Sequence, residues 1–256
     1  MGSSFKAMPS LPTTAQICTE ARSQSRVISA SNVVMNSWTP NPPVRSATPV
    51  RDRPHDHTQI HALFVDPNGP YPRLGVDCWD RSRNAFTFNA VGPVIVHPPC
   101  GRWCAMARLN QQRWNAKVGD DGGCFAFALN ILQRNGGVLE HPAQSLAWPV
   151  FYLPRPQKIG WNAARNNTWV CEVWQSAYGH PCHKRTWLLY VGAQPPFELN
   201  WRRDRSLATH QVGGGVDTGH RAKPRLNSSQ THLSPPLFAA ALVQLAAHSA
   251  SKRSYA

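Results

Sequence analysis

The stretch "PVIVHPPC", residues 93–100, decides how this chain folds. Val94, Ile95 and Val96 are consecutive β-branched apolar residues, the pattern of a strand buried on both faces. Pro98 and Pro99 carry no N–H, so strand pairing must stop there. Cys100 is thereby left on a stiff strand end, as buried filler, metal ligand or nucleophile. Downstream, "GGCFAFALNILQRNGG" (122–137) predicts a helix with Phe125, Leu129 and Leu132 on one face and a stop at Gly136. "GVLEHP" (137–142) predicts another short buried strand, again ended by proline. Strand, helix, strand in this order implies βαβ units, hence an α/β fold with a mostly parallel sheet. In such sheets ligands gather outside the carboxyl ends of the strands.

Working outward, "IHALFVD" (60–66) predicts a buried strand that runs into the turn cluster "PNGPYP" (67–72). "TWVCEVWQ" (168–175) alternates as an amphipathic strand, and "RTWLLYVG" (185–192) is apolar throughout. "SPPLFAAALVQLAAHS" (234–249) predicts a helix with prolines in its first turn, where the missing N–H costs nothing. Residues 1–57 are proline-rich without an apolar period and predict a disordered leader. The expected organisation is that leader, an α/β core over 58–192, a basic loop or reduced DNA-contact segment over 193–233, and a C-terminal helix and tail over 234–256. Three strand ends, "VDPNG", "HPPC" and "EHP", carry the residues suited to chemistry.

The 256 residues are 41% hydrophobic with ten tryptophans, enough for a sizeable core. The formal charge of +14 is the electrostatic footprint of a nucleic-acid binder. Seven cysteines are an odd count in a chain too long for a disulfide miniature, which suggests free thiols in a reducing cytoplasm. No run approaches the ~18 apolar residues of a membrane span, so no membrane partner is expected. His97, Cys100, Cys104, His180, Cys182 and His183 offer nitrogen and sulfur ligands for a zinc rival. They lack the paired spacing of a zinc knuckle, and no metal is expected.

Cys100, Glu140 and Arg185 follow one another in the order and at about the intervals of one family. The chain resembles the DNA cytosine-5 methyltransferases, which carry a Pro-Cys loop, a Glu-Asn-Pro loop and a Gln-x-Arg-x-Arg strand. Here these read "PPC" (98–100), "EHP" (140–142) and "HKRTWLLYVG" (183–192). The match looks best to short phage and prophage relatives, with "AYGHP" as the family's Tyr-Gly turn and the C-terminal helix as its closing helix. His141, His183 and Trp187 replace the family's Asn, Gln and second Arg.

The resemblance implies a compact Rossmann-like class I methyltransferase fold without a large target-recognition domain. It also implies a transferase acting on cytosine C5 of DNA, in a phage or restriction-modification setting near the nucleoid, and a monomer is expected. Cys100 would add to C6 of a flipped base, Glu140 would protonate or hydrogen-bond N3, and Arg185 would hold the base or phosphate and favour the thiolate. S-adenosylmethionine is the implied cofactor, with Asp66, Gly69 and Pro98 beside it and Asp77 or Asp80 on its ribose. The family's Phe-x-Gly-x-Gly spacing is missing from "FVDPNGPYPRLG" (64–75). Two alternatives therefore stay open: another one-carbon donor, such as a methylene folate, and a non-catalytic DNA-binding protein on the same core. The expected DNA contacts are Arg102, Trp103, Arg108 and Arg113 after Cys100, His183 and Lys184 before the last strand, and Arg202 and Arg203 beyond it.

Overall fold

The computed structural model describes residues 59–165, 167–211 and 223–251. The expected leader, residues 1–57, lies outside the described residues. Seven strands form one mixed sheet: β1 (His61–Leu63), β2 (Asp77–Trp79), β3 (Val94–Val96), β4 (Gly137–Pro142), β5 (Asn162–Ala163), β6 (Thr168–Trp174) and β7 (Arg185–Val191). Their order is β2-β1-β3-β4-β7-β6-β5. β1 to β4 are parallel to one another, β7 is antiparallel to both β4 and β6, and β5 is antiparallel to β6. The expected α/β class therefore holds, with one reversed strand wedged between β4 and β6.

The expected helices form as α2 (Cys124–Asn135) and α5 (Pro236–Ser251). They cover opposite faces of the sheet, because alternate residues of the central strands point to opposite sides. Leu63, Val94, Val96, Leu139 and Leu189 pack with Phe125, Leu129 and Leu132 of α2. Ala62, Ile95, Val138, Leu188 and Tyr190 pack with Phe238, Leu242 and Leu245 of α5. Gly137 is required where β4 enters the sheet: its φ is +122°, and a Cβ there would lie 1.9 Å from the Val94 carbonyl oxygen.

Three helices were not legible in the sequence: α1 (Ala107–Trp114), the short α3 (Ala147–Val150) and α4 (Ser228–His232). The segment after Cys100 reads as a basic loop, yet its middle is a two-turn helix. Only Ala107 of α1 is buried, so no apolar stripe announced it. The 193–211 part of the expected basic loop holds only a three-residue turn of 3-10 helix, Arg205–Leu207, and residues 212–222 lie outside the described residues.

Candidate functional site

The parallel register of β3 and β4 creates the site. Val96 pairs with Leu139, which brings the next residues, His97 and Glu140, side by side. The His97 amide closes the last ladder bond, to Leu63 O at 3.1 Å, and the two prolines end the strand as expected. Both His97 and Glu140 point to the α5 face, as the parity of Ile95 and Val138 demands. His97 Nδ1 lies 3.0 Å from Glu140 Oε2, and His97 Nε2 lies 2.6 Å from the Tyr71 hydroxyl. Gln175 Nε2 donates to Glu140 Oε1 at 3.1 Å and to Thr186 Oγ1 at 2.9 Å.

The proton positions follow from chemistry. Burial, then the charge of Glu140, hold the Tyr71 hydroxyl well above its usual pKa, so it keeps its proton. Burial alone would raise the pKa of Glu140. The hydrogen bond from His97, with Lys184 among the groups that favour the charged form, outweighs burial and brings it down to about 2. An ionised carboxylate only accepts, so His97 Nδ1 carries the hydrogen. In the neutral ring Nε2 then accepts from Tyr71. Every donor in this chain is aimed toward Glu140.

Cys100 follows on the same strand end and heads a turn: its carbonyl accepts from the amides of Trp103 at 2.9 Å and Cys104 at 2.8 Å. Burial, then the charge of Glu140, push its thiol up to about 11, and Lys184 opposes them. The cation that Cys100 and Glu140 both feel is therefore Lys184, whose Nζ also donates to Leu233 O at 3.3 Å.

Arg185 is not assembled with them. It lies on the other face of the sheet with Trp187 and binds Glu172 through Nε and Nη2, each at 3.0 Å. Glu172 is only 6% exposed and also accepts from Trp187 Nε1 at 2.9 Å and pairs with Arg203 at 3.5 Å. Arg185, expected on the base, and Arg203, expected on phosphate, thus both pair with one buried carboxylate, and Arg185 stands on the face opposite Glu140. His141 likewise points away from Glu140, between Phe125 and Trp148 in the α2-side core. Its ring nitrogens close no well-shaped hydrogen bond, although the Pro99 carbonyl favours the charged form slightly. Burial wins and holds the ring neutral, with its pKa near 4.

The cofactor candidates divide in the same way. A cleft of about 170 Å³ opens between the carboxyl ends of β1 and β3, where the strand order changes direction. Asp66, Gly69, Tyr71 and His97 line it, closed over by His232 and Leu233. Phe64, with φ +60°, forms part of its wall, and such strained backbone gathers at functional positions. Asp77 sits at the other end of β2 and is closed in by His61, Trp79 and Arg83. Asp80 follows β2 directly, but its carboxylate caps a turn through Ser82 and the Arg83 amide. Pro98 is buried between His97 and the turn.

Of the DNA-contact candidates, Arg108 and Arg113 are exposed on α1, and Arg102 is half-buried before it. Trp103 is a correction: it is 5% exposed, with Nε1 donating to Asp121 Oδ2 at 2.7 Å, and cannot stack on a base. Trp114, at the end of α1, is 76% exposed and presents the free aromatic face. His183 leans on Trp174, with ring centroids 5.1 Å apart, and Arg202 is paired with Asp204 at 2.7 Å. Among the described residues no group of three or more His, Cys, Asp or Glu is gathered as a metal site, and no helix is long and apolar enough to cross a membrane.

Tyr71, His97 and Gln175 are the site residues that no motif marked as partners of Glu140. Only "HPPC" hinted at His97, through its place one residue before the prolines. No family model matches the chain, and no curated protein or solved structure matches it significantly.

Proposed function

We propose that this protein modifies cytosine C5 in DNA, with Cys100 as the covalent nucleophile, on a Rossmann-like fold of the class I methyltransferase type. The observation that supports this most is the register of β3 and β4. It sets an ionised, doubly hydrogen-bonded Glu140 beside the strand end that carries Cys100, at the sheet edge where α/β proteins bind ligands.

In this reading the base leaves the stack and enters over Cys100. As sulfur bonds to C6, the thiol proton passes by way of the Glu140 carboxylate to N3, and the C5=C6 electron pair moves into the ring. N3–H then donates to Glu140. C5 takes an electrophilic carbon from its donor, whose leaving group departs with the bonding pair. The C5 and N3 protons are then lost, C5=C6 re-forms as the C6–S bond breaks, and one of those protons returns to the Cys100 sulfur. The thiol starts fully protonated, so activation falls to Lys184 and the incoming base rather than to Arg185. Arg108, Arg113 and Trp114 supply phosphate contacts and a stacking face next to the nucleophile loop.

S-adenosylmethionine does not fit the cleft in this conformation. About 170 Å³ is below the several hundred that ligand-sized sites occupy. The amides of the loop are spent internally, Asn68 on Asp66 Oδ1 and Gly69 on Asp66 O. The donor of the carbon is therefore left to experiment. The raised thiol pKa also favours a second reading, a protein that binds DNA and transfers nothing.

One experiment separates them. The protein is incubated with an oligonucleotide containing 5-fluorocytosine, with S-adenosylmethionine or a methylene folate, and a covalent adduct is sought on a denaturing gel. An adduct in the wild type that Cys100→Ala abolishes supports the enzyme. DNA binding without adduct under either donor overturns it in favour of the binding protein. Mass spectrometry of nucleosides from cells expressing the protein then names the transferred group.

A further inference from the structure

We propose that His97 is the positioning residue of this site: it aims Glu140 and ties Glu140's state to the Tyr71 hydroxyl in the cleft. This rests on the proposed role of Glu140 but concerns a residue for which the family resemblance supplies no part. The geometry carries it. His97 bridges two buried groups, Glu140 and Tyr71, at 3.0 and 2.6 Å, and of these Glu140 also acts on Cys100 through its charge. Tyr71 and His97 both line the cleft.

The bridge has two settings. With the ring neutral, the Tyr71 hydroxyl donates to Nε2 and Nδ1–H donates to Glu140. With the ring charged, Nε2–H donates to the Tyr71 oxygen, and the hydroxyl hydrogen must turn away toward the cleft. One proton added to His97 thus changes the cleft wall from a satisfied hydroxyl to a free donor. It also strengthens the hold on Glu140, because the bond becomes charge-assisted on both sides. The groups that meet this ring are Glu140 on β4 and Tyr71 in the loop after β1. His141 on β4 feels its charge. Asp66 after β1 and His232 at the end of α4 line the same cleft, and Lys184 before β7 and Cys78 on β2 act on the two partners Glu140 and Tyr71.

Two measurements test this. The first follows the rate of adduct formation on the 5-fluorocytosine oligonucleotide. His97→Ala loses the aim of Glu140 and is expected to fall roughly 100-fold. His97→Gln, which keeps a donor toward Glu140, is expected to recover most of that loss. His97→Ala at the wild-type rate overturns the proposal. The second measurement is independent of activity: the ring nitrogens of His97 are followed by NMR in 15N-histidine-labelled protein. The neutral ring is expected as the Nδ1–H tautomer, with Glu140→Gln and Tyr71→Phe each shifting the ring-nitrogen resonances. The Nε2–H tautomer, or resonances indifferent to both substitutions, overturns the proposal. If the wild type forms no adduct, the cytosine reading fails and the NMR result alone decides on His97.

Discussion

Replacing Glu140 by Gln removes one charge at nearly constant shape, and its cost can be worked from the site. The carboxyl pKa is about 2 in the folded protein against an ordinary 4.5. At about 1.4 kcal/mol per unit, that difference stabilises the fold by about 3 kcal/mol. A depressed carboxylate contributes fully above its unfolded pKa, and the contribution is lost as pH falls through the folded pKa. Wild type is therefore expected to exceed Glu140→Gln by about 3 kcal/mol at pH 7, and the gap is expected to close between about pH 5 and pH 2. The assay is urea unfolding of both proteins across that range. With a slope of roughly 2 kcal/mol per molar, the midpoints are expected to differ by about 1.5 M at neutral pH. Asp77, Glu172 and Asp204 also have depressed pKa values and destabilise both proteins in acid, so the difference between the two is the quantity to follow. A gap that does not change with pH would refute the reasoning, because Glu140 would then act through shape or packing and not through its charge.

Glu172→Ala leaves the buried Trp187 Nε1 without its acceptor and frees two arginines that are partly exposed; a loss of about 2–4 kcal/mol is expected in thermal or urea unfolding. Lys184→Gln is expected to slow alkylation of Cys100 by iodoacetamide, mapped by mass spectrometry, since the thiol loses its opposing cation. Arg185→Gln is expected to leave that rate unchanged and to lower stability instead. Changing Arg108 and Arg113 together to Ala is expected to reduce the slope of log affinity for DNA against log salt by about 2, read by fluorescence anisotropy; an unchanged slope places the DNA elsewhere.

Burial and proline placement made most of the sheet legible in the sequence. Val94–Val96, Gly137–Pro142 and Arg185–Val191 are strands where runs of apolar residues meet residues that cannot continue a ladder. The helix over Cys124–Asn135 announced itself by Phe125, Leu129 and Leu132 on one face. α1 did not, because it lies on the surface with a single buried residue and carries no periodic signal. Trp103 and Trp114 look alike in the sequence, yet one is locked under Asp121 and the other stands in solvent. Spacing along the chain cannot separate them, since burial depends on which distant residues arrive.

The sequence by itself determined that Cys100 follows one strand of the sheet and that Glu140 lies on another, because each belongs to an apolar run that meets proline; β4 nonetheless continues through His141 and Pro142 in its pairing with β7. Only the tertiary structure decided which groups share their side. Register and the two-residue period of strands turned His97 toward Glu140 and turned Arg185 and His141 to the opposite face. Neighbouring residues on a strand point to opposite sides of the sheet, so an ordered motif fixes the edge at which a residue stands, while the pairing of strands fixes the partner it meets.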